Sequence, residues 1–215
     1  MQFLTEKVFK LAPPAGLFDS TVVVNLFSEK SEGARRLLVS RAVESGEVVR
    51  LKPGLYCLAK EFRKQEPHPF TIAQMLYPPS YVSLETALSH HGLIPEAVYQ
   101  VASVSNRRTQ RFETSFGTFV YLRVPSRPLM AGVVLTEVQK GTWAYVATPL
   151  RAIADLIYLR KIDWKTHGIS FLVDSMRIEE DDLRKIDMSC LQEIVQGLRS
   201  HRVRNYLKHL AKELA

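Results

Sequence analysis

The sequence predicts an α+β protein in which a small helical domain precedes a larger domain that contains a sheet. Three observations lead to this fold class. Helical patterns with capping residues occupy the first 45 residues, and two short apolar runs around a Pro-Gly turn follow them. Candidate strands then come in succession without helices between them, which favours a mainly antiparallel sheet. From about residue 169 to the end the pattern predicts C-terminal helices.

Composition and charge are those of a folded, basic protein. Of the 215 residues, 46% are hydrophobic and 24% are charged, which excludes disorder across the whole chain. Lysine and arginine number 29 against 22 acidic residues, for a formal net charge of +7. This balance favours an acidic partner, which is nucleic acid or, less often, a membrane surface.

A cytoplasmic location is expected by exclusion. Two cysteines are too few for a disulfide scaffold or a four-ligand zinc site. Glu6, Lys7 and Lys10 interrupt the apolar core that a signal peptide needs. The longest stretch without formal charge, residues 67–84, holds four prolines and therefore does not predict a membrane helix.

A domain boundary is predicted in the charged, proline-punctuated run KEFRKQEPHP, residues 60–69. We assign residues 1–62 to the first domain and residues 63–215 to a larger α+β domain.

Three helices are predicted in the first domain, each from its capping or stop residues. They span residues 3–11, from Asp19 or Ser20 to about Phe27, and from Ser31 to Gly46. The runs EVVRL and LYCLA then flank the turn around Lys52-Pro53-Gly54 and predict a hairpin. Three helices followed by a hairpin within about 60 residues is the order of a winged helix-turn-helix domain.

The third helix carries the candidate contacts to DNA. If Leu38 faces the core, a 100° step per residue places Arg36 and Ser40 on the far side, Arg35 on a flank and Val39 outward. Arginine is suited to this face because its forked group bonds two acceptors on guanine. With the cations beside the helix and in the hairpin, the predicted DNA-binding residues are Lys30, Arg35, Arg36, Ser40, Arg50 and Lys52. A solvated helix face diluted by nearby acids is the alternative interpretation.

The larger domain mixes strands and helices. Ser83 starts a helix that Gly92 closes, and Thr148-Pro149 opens another, in which Arg151 is spaced to pair with Asp155. The strands between them are predicted at residues 98–104, 116–124, 132–138 and 143–147. Two basic clusters remain, and each is either a binding surface or a solvated face. They are Asn106, Arg107 and Arg108 with Arg111, in a predicted turn, and Arg199, Arg202, Arg204 and Lys208 near the last helix.

Residues 42–58, AVESGEVVRLKPGLYCL, resemble the wing of the AbiEi-type antitoxins, which are winged-helix regulators from bacterial abortive-infection toxin–antitoxin systems. The shared features are a Gly-Glu-apolar-apolar-Arg run and a Gly-apolar-Tyr return strand. Residues 77–96 look like the family's segment after the linker, while residues 112–124 and 148–158 match its aromatic strand region and its Pro-x-Arg-Ala helix. The likeness covers about residues 20–160, and Pro13-Pro14 departs from the family by shortening the first helix.

The resemblance implies a two-part function. The N-terminal domain would bind double-stranded DNA at inverted repeats in its own promoter and repress its own operon. The C-terminal domain would counteract a nucleotidyltransferase toxin without forming a stable complex with it, as in type IV systems. The oligomeric state stays open between a dimer and a monomer on each repeat.

No enzymatic activity, cofactor or metal is expected from the sequence. It contains no phosphate loop, Gly-x-Gly-x-x-Gly, Gly-x-Ser-x-Gly or His-Glu-x-x-His motif. His90 and His91 are adjacent and would point about 100° apart on a helix, and Glu137 and Lys140 would lie on opposite faces of a strand. Two alternatives to the repressor remain: a metal-dependent nuclease with a winged-helix targeting domain, and a protein-interaction module that uses the winged helix.

Overall fold

A computed structural model of the chain describes residues 1–95 and 99–214, and these form the helices and sheets of an α+β protein, as predicted. The chain divides into two compact units. The first comprises Met1–Leu76 and Glu137–Trp143, and the second comprises Tyr77–Thr136 and Ala144–Ala215. The predicted boundary between residues 62 and 63 lies within the first unit, and the assignment of residues 1–62 and 63–215 to two domains stays a prediction.

The first unit begins with the three helices and the hairpin that the sequence predicts. Its elements are α1 (Phe3–Leu11), β1 (Leu17–Asp19), α2 (Ser20–Leu26), α3 (Glu32–Glu44), β2 (Val48–Lys52), β3 (Leu55–Leu58) and α4 (Pro69–Leu76). The strand β1, which was not predicted, pairs antiparallel with β3 and completes a three-stranded sheet in the order β1-β3-β2.

Capping and turn residues explain where these elements begin and end. The Asp19 carboxylate accepts hydrogen bonds from the backbone N–H groups of Thr21 and Val22 at 2.9 and 3.1 Å, and therefore starts α2. Ser31 starts α3 in the same way, through a 3.3 Å bond from Ala34 N. The hairpin turns at Gly54, whose φ of +85° suits glycine because it has no Cβ.

A small core holds the three helices against the sheet. Leu4 and Val8 of α1, Ala42 of α3 and Leu58 of β3 are each 1% exposed or less, and Phe27 after α2 is equally buried. Burial of these side chains is the main stabilising contribution within this part of the first unit.

From Tyr81 onward, strands come first and helices follow. The elements are β4 (Tyr81–Val82), α5 (Leu84–His90), β5 (Gln100–Ser105), β6 (Gln110–Thr114), β7 (Gly117–Arg123), β8 (Val133–Gln139), β9 (Thr142–Ala147), α6 (Pro149–Leu159), α7 (Trp164–His167), a π-helical turn (Phe171–Ser175), α8 (Glu180–Arg184), α9 (Leu191–Gly197) and α10 (His201–Glu213). Val98, where the first of the predicted strands was to begin, and Ala215, at the end of the last predicted helix, lie outside the described residues.

The sheet is mixed and contains parallel as well as antiparallel pairs, whereas a mainly antiparallel sheet was predicted. The order is β6-β7-β5-β4-β9-β8, with parallel pairs β5·β7 and β4·β9 and antiparallel pairs β4·β5 and β6·β7. Two strands of this sheet were not predicted from the sequence. The strand β4 is too short to show an alternating pattern, and β6 contains Arg111, which was predicted in a turn. Because β7 returns between β6 and β5, it runs parallel to β5.

A buried ion pair fixes α6 in the second unit. Arg151 and Asp155 are both fully buried, and Arg151 Nε donates to Asp155 Oδ1 at 3.1 Å, as the spacing predicts. Tyr81 and Ser83 each donate to Asp155 Oδ2 at 2.8 Å. Arg151 also donates to the Tyr81 hydroxyl and, at 2.7 Å, to the carbonyl of Ala131. Both charges are therefore hydrogen-bonded, which is the condition for burying an ion pair.

Burial shifts the titration of this pair. Burial raises the pKa of the Asp155 carboxyl, against the opposing effects of the Arg151 charge and the hydroxyl donors. Burial alone would lower the pKa of Arg151, but the neighbouring carboxylate raises it overall. The guanidinium therefore stays protonated inside the unit.

Among the residues that the structure describes, no helix is both long and apolar enough to pass through a bilayer.

Candidate nucleic-acid interface

The helix α3 turns a different face to the core than predicted. Val39 is 7% exposed and Ala42 is fully buried, while Leu37 is 50% exposed. Leu38 packs only at the edge of the core cluster. The prediction that Val39 points outward was therefore wrong, because adjacent apolar residues fit two helix phases and the contacts with the sheet select one of them.

The outer face of α3 borders an open groove of about 800 Å³ in the first unit. Val24 of α2 lies on one wall, α3 contributes the second, and Arg50 and Tyr56 of the hairpin contribute the third. Of the six predicted DNA-binding residues, four line this groove: Arg35, Arg36, Ser40 and Arg50. Lys30 and Lys52 are not among its lining residues.

The guanidinium of Arg35 is engaged within the unit. Its Nη1 donates to the backbone carbonyls of Phe27, at 3.3 Å, and of Lys30. Arg35 is half-buried and therefore ties α3 to the segment that follows α2. In this arrangement it contributes positive charge to the groove, while part of its donor capacity is already used.

Arg36 and Ser40 lie on the exposed side of α3, each beside an acid one turn away. Arg36 Nη2 lies 2.5 Å from Glu32 Oε1, and the two side chains are 79% and 71% exposed. Ser40 Oγ donates to Glu44 Oε1 at 2.8 Å. These exposed pairs are weak in water, so a phosphate or a base edge can displace the acid as a partner.

Arg50 is the most available cation of the groove. It lies in β2, is exposed, and makes no ion pair or side-chain hydrogen bond with any of the residues 1–95 and 99–214. Its position on the hairpin places a free guanidinium in the same groove as Arg36 of α3. The groove therefore combines cations from a helix and from a hairpin.

Lys52 and Lys30 occupy other surroundings. Lys52 is half-buried, and its Nζ donates to the carbonyl of Leu76 at 2.5 Å, at the C-terminal end of α4, where a cation is favourable. Lys30 Nζ lies 3.9 Å from Glu29 Oε1. The structure therefore does not bring these two lysines together with the other four residues.

Sequence reasoning missed the apolar part of the groove. Val24 and Leu37 line it and are 44% and 50% exposed, and Glu32 lies among the cations. The spacing of Glu32 and Arg36 gave a signal for their pairing. Nothing local distinguished Leu37 from its buried neighbours, since its exposure depends on the phase of α3.

Comparison of the chain with protein-family models found no match, and comparison with curated proteins found none either.

No group of three or more His, Cys, Asp or Glu side chains placed to hold a metal ion occurs in residues 1–95 and 99–214. Glu137 Oε1 accepts a hydrogen bond from the backbone N–H of Gly141 at 2.7 Å.

Proposed function

We propose that the first unit is a winged helix-turn-helix domain that binds double-stranded DNA. In this proposal α2 and α3 form the helix-turn-helix, α3 enters the major groove, and the β2–β3 hairpin is the wing that contacts the adjacent backbone. The observation that supports it is the groove in which Arg36 of α3 lies together with the unpaired Arg50 of the hairpin. A binding surface made of a cationic helix face and a cationic loop suits the alternating grooves and phosphates of a duplex.

The proposal assigns different roles to the six predicted residues. Arg36 and Ser40 contact base edges, because they lie on the exposed face of α3. Arg50 contacts a phosphate. Arg35 orients α3 through its bonds to the segment after α2, while Lys30 and Lys52 contribute only long-range attraction.

A mobility-shift titration tests DNA binding. The probe is a duplex from the region immediately upstream of the gene, and an unrelated duplex of equal length is the reference. Arg36→Ala weakens binding by about 1–3 kcal/mol if the side chain reads a base. Arg184→Ala is a matched control, since Arg184 is also exposed and lies 3.7 Å from Glu180 one turn away, in the second unit. Absence of a mobility shift of the upstream duplex at low salt would contradict the proposal.

The second unit, in the same proposal, counteracts a nucleotidyltransferase toxin encoded next to this gene. The support is the resemblance of residues 77–96, 112–124 and 148–158 to the AbiEi-type antitoxins, and the whole chain is then the autorepressor and antitoxin of a type IV system. Co-expression with the neighbouring reading frame tests this role. The expected result is restored growth of cells that express the toxin, without a complex of the two proteins in gel filtration. Unchanged growth arrest would contradict it.

A protein-binding groove is the second candidate, and the exposed Leu37 and Val24 favour it. The acids beside Arg36 and Ser40 also bring the outer face of α3 nearer to neutral charge. Leu37→Ala separates the two functions. If the ligand is DNA, the variant keeps its affinity for the upstream duplex within about twofold. If the ligand is a protein that buries Leu37, the affinity for that protein falls roughly tenfold, because burial of a leucine contributes about 1.5–3 kcal/mol.

A further inference from the structure

Three arginines from two distant segments of the chain surround a small concavity in the second unit. Its volume is about 240 Å³, and it is lined by Asn106, Arg123, Pro125, Ser126, Arg127 and Arg199. Neither basic cluster of the sequence predicts this set, because each supplies only one of its members. The arginines Arg123 and Arg127 belong to neither cluster.

The backbone explains why the three side chains point to one side. Along residues 123–127 the side chains alternate. Val124 and Ser126 are buried, whereas Arg123 and Arg127 are exposed. Ser126 pairs antiparallel with Leu198, and Arg127 N donates to the carbonyl of Gly197 at 2.8 Å.

This pairing brings Arg199 to the same side. It sets Arg199 opposite Pro125, and residues that face each other across antiparallel strands project in the same direction. Pro125 in turn shares its face with Arg123 and Arg127 through the alternation.

The floor of the concavity is held in place by hydrogen bonds. Asn106 Nδ2 donates to the carbonyl of Ser126 at 2.9 Å, and Asn106 Oδ1 accepts from Ser126 N at 2.9 Å. The two chain segments also approach closely at Gly197, where a Cβ would lie 3.3 Å from Ser126 Oγ. The arginines therefore extend from a fixed base.

The three guanidinium groups have no partners within the described chain. None of Arg123, Arg127 and Arg199 makes an ion pair or a side-chain hydrogen bond with residues 1–95 or 99–214, and no acid lines the concavity. Three other exposed arginines of the second unit, Arg111, Arg160 and Arg184, each pair with a glutamate instead. Three like charges around one small volume repel each other, and a bound anion offsets this repulsion.

We propose that Arg123, Arg127 and Arg199 form a binding site for a phosphate group that carries at least two negative charges. The ligand class is a phosphate monoester or a diphosphate, supplied by a free nucleotide or by the phosphorylated end of a nucleic-acid strand. Arginine forks bind phosphate oxygens in pairs, and convergence of three of them on a small volume matches a compact multiply charged group better than a phosphodiester with one charge. The site lies in the second unit and does not rest on the function proposed for the groove of the first.

Isothermal titration of the full-length protein with pyrophosphate tests the site. The expected result is binding to one site per chain at physiological ionic strength. Arg199→Gln and Arg123→Gln each weaken that binding tenfold or more, and both variants keep the circular dichroism spectrum because the side chains are exposed. Arg184→Gln is the matched control and changes the affinity less than twofold. No binding of pyrophosphate, or an equal loss in Arg184→Gln, would overturn the proposal.

A second pair of probes separates the two sources of phosphate. A short oligonucleotide with a 5′-phosphate is compared with the same oligonucleotide with a 5′-hydroxyl, and both are compared with a nucleoside diphosphate. A tenfold preference for the 5′-phosphate that disappears in Arg199→Gln supports the site with a strand end as the ligand. Tighter binding of the nucleoside diphosphate supports it with a free nucleotide. Equal affinity for the two oligonucleotides, together with no binding of the diphosphate, would overturn it.

Discussion

Arg36 and Glu32 lie one turn apart on the exposed face of α3, with 2.5 Å between Nη2 and Oε1. Glu32 is therefore the ion-pair partner of Arg36, which is the best candidate to contact a base. Because both side chains are largely in water, the pair is weak and salt-sensitive. It reduces the positive potential of the groove without removing the cation from it.

Replacement of Glu32 with glutamine is expected to strengthen DNA binding several-fold. The change removes a carboxylate that competes with the base edge for Arg36 and repels the phosphates of the duplex. The measurement is a mobility-shift titration with the upstream duplex at low salt. Glu180→Gln, which breaks the corresponding pair with Arg184 in the second unit, should leave the affinity unchanged. Weaker binding by Glu32→Gln would mean that the pair orders Arg36 for DNA rather than competing with it.

The phase of α3 predicts unequal costs for two neighbouring truncations. Val39→Ala lowers the free energy of unfolding by about 2 kcal/mol, because two buried carbons are removed and a cavity remains. Leu37→Ala costs only a fraction of this, since half of the Leu37 side chain is already exposed. Urea denaturation measures both. A larger loss of unfolding free energy for Leu37→Ala than for Val39→Ala would support the orientation of α3 predicted from the sequence, in which Val39 points outward.

Replacement of Arg151 with methionine is expected to lower the free energy of unfolding by about 3–5 kcal/mol at neutral pH, because it leaves the Asp155 carboxylate buried without its cation. The double variant Arg151→Met/Asp155→Asn should recover part of that loss. Thermal and urea unfolding of the single and double variants measure the coupling. A double variant no more stable than Arg151→Met would show that the charge of Asp155 is not the source of the loss.

The cost of losing Arg151 should also depend on pH. Burial already raises the pKa of Asp155 in the folded protein, and loss of the guanidinium raises it further. A carboxyl whose folded pKa lies above its unfolded value of about 3.9 favours folding fully below that value and loses this contribution as pH rises through the folded pKa. Arg151→Met should therefore lose less stability, relative to the parent protein, at acidic pH than at pH 7. A cost independent of pH would contradict this assignment.

The two cysteines are expected to differ in reactivity. Burial raises the pKa of the Cys57 thiol to about 11, with Arg63 opposing the shift, and the side chain is fully buried. Cys190 is partly exposed. A thiol-specific reagent at pH 8 should label one site in the folded protein and two in urea. Cys190→Ser should leave the folded protein unlabelled, whereas labelling of that variant without denaturant would show that the strand β3 opens.

Local signals were sufficient for much of the fold. Asp19, Ser31 and Thr148 cap helices at the predicted positions because capping depends on the residue and its nearest backbone N–H groups. The hairpin follows from its turn residues for the same reason. The spacing of Arg151 and Asp155 predicted that they pair, but it did not predict that both are completely buried.

Features that depend on contacts between distant segments were not predictable. The phase of α3 depends on which side the sheet covers, and the engagement of Lys52 depends on the carbonyl of Leu76 in a later helix. Parallel pairing in the larger sheet follows from the insertion of β7 beside β5. The concavity around Arg123 and Arg199 depends on the bridge between Ser126 and Leu198, which no spacing in the sequence indicates.

The salt dependence of binding to the upstream duplex tests the central proposal most directly. For the parent protein, the logarithm of the association constant should fall linearly with the logarithm of salt concentration, with a slope of about −0.9 for each phosphate contact. Arg50→Gln should reduce the magnitude of that slope by about 1, because Arg50 is proposed to contact a phosphate, while Arg184→Gln leaves it unchanged. A parent protein whose affinity is independent of salt, or an Arg50→Gln variant with an unaltered slope, would contradict the assignment of this groove to DNA.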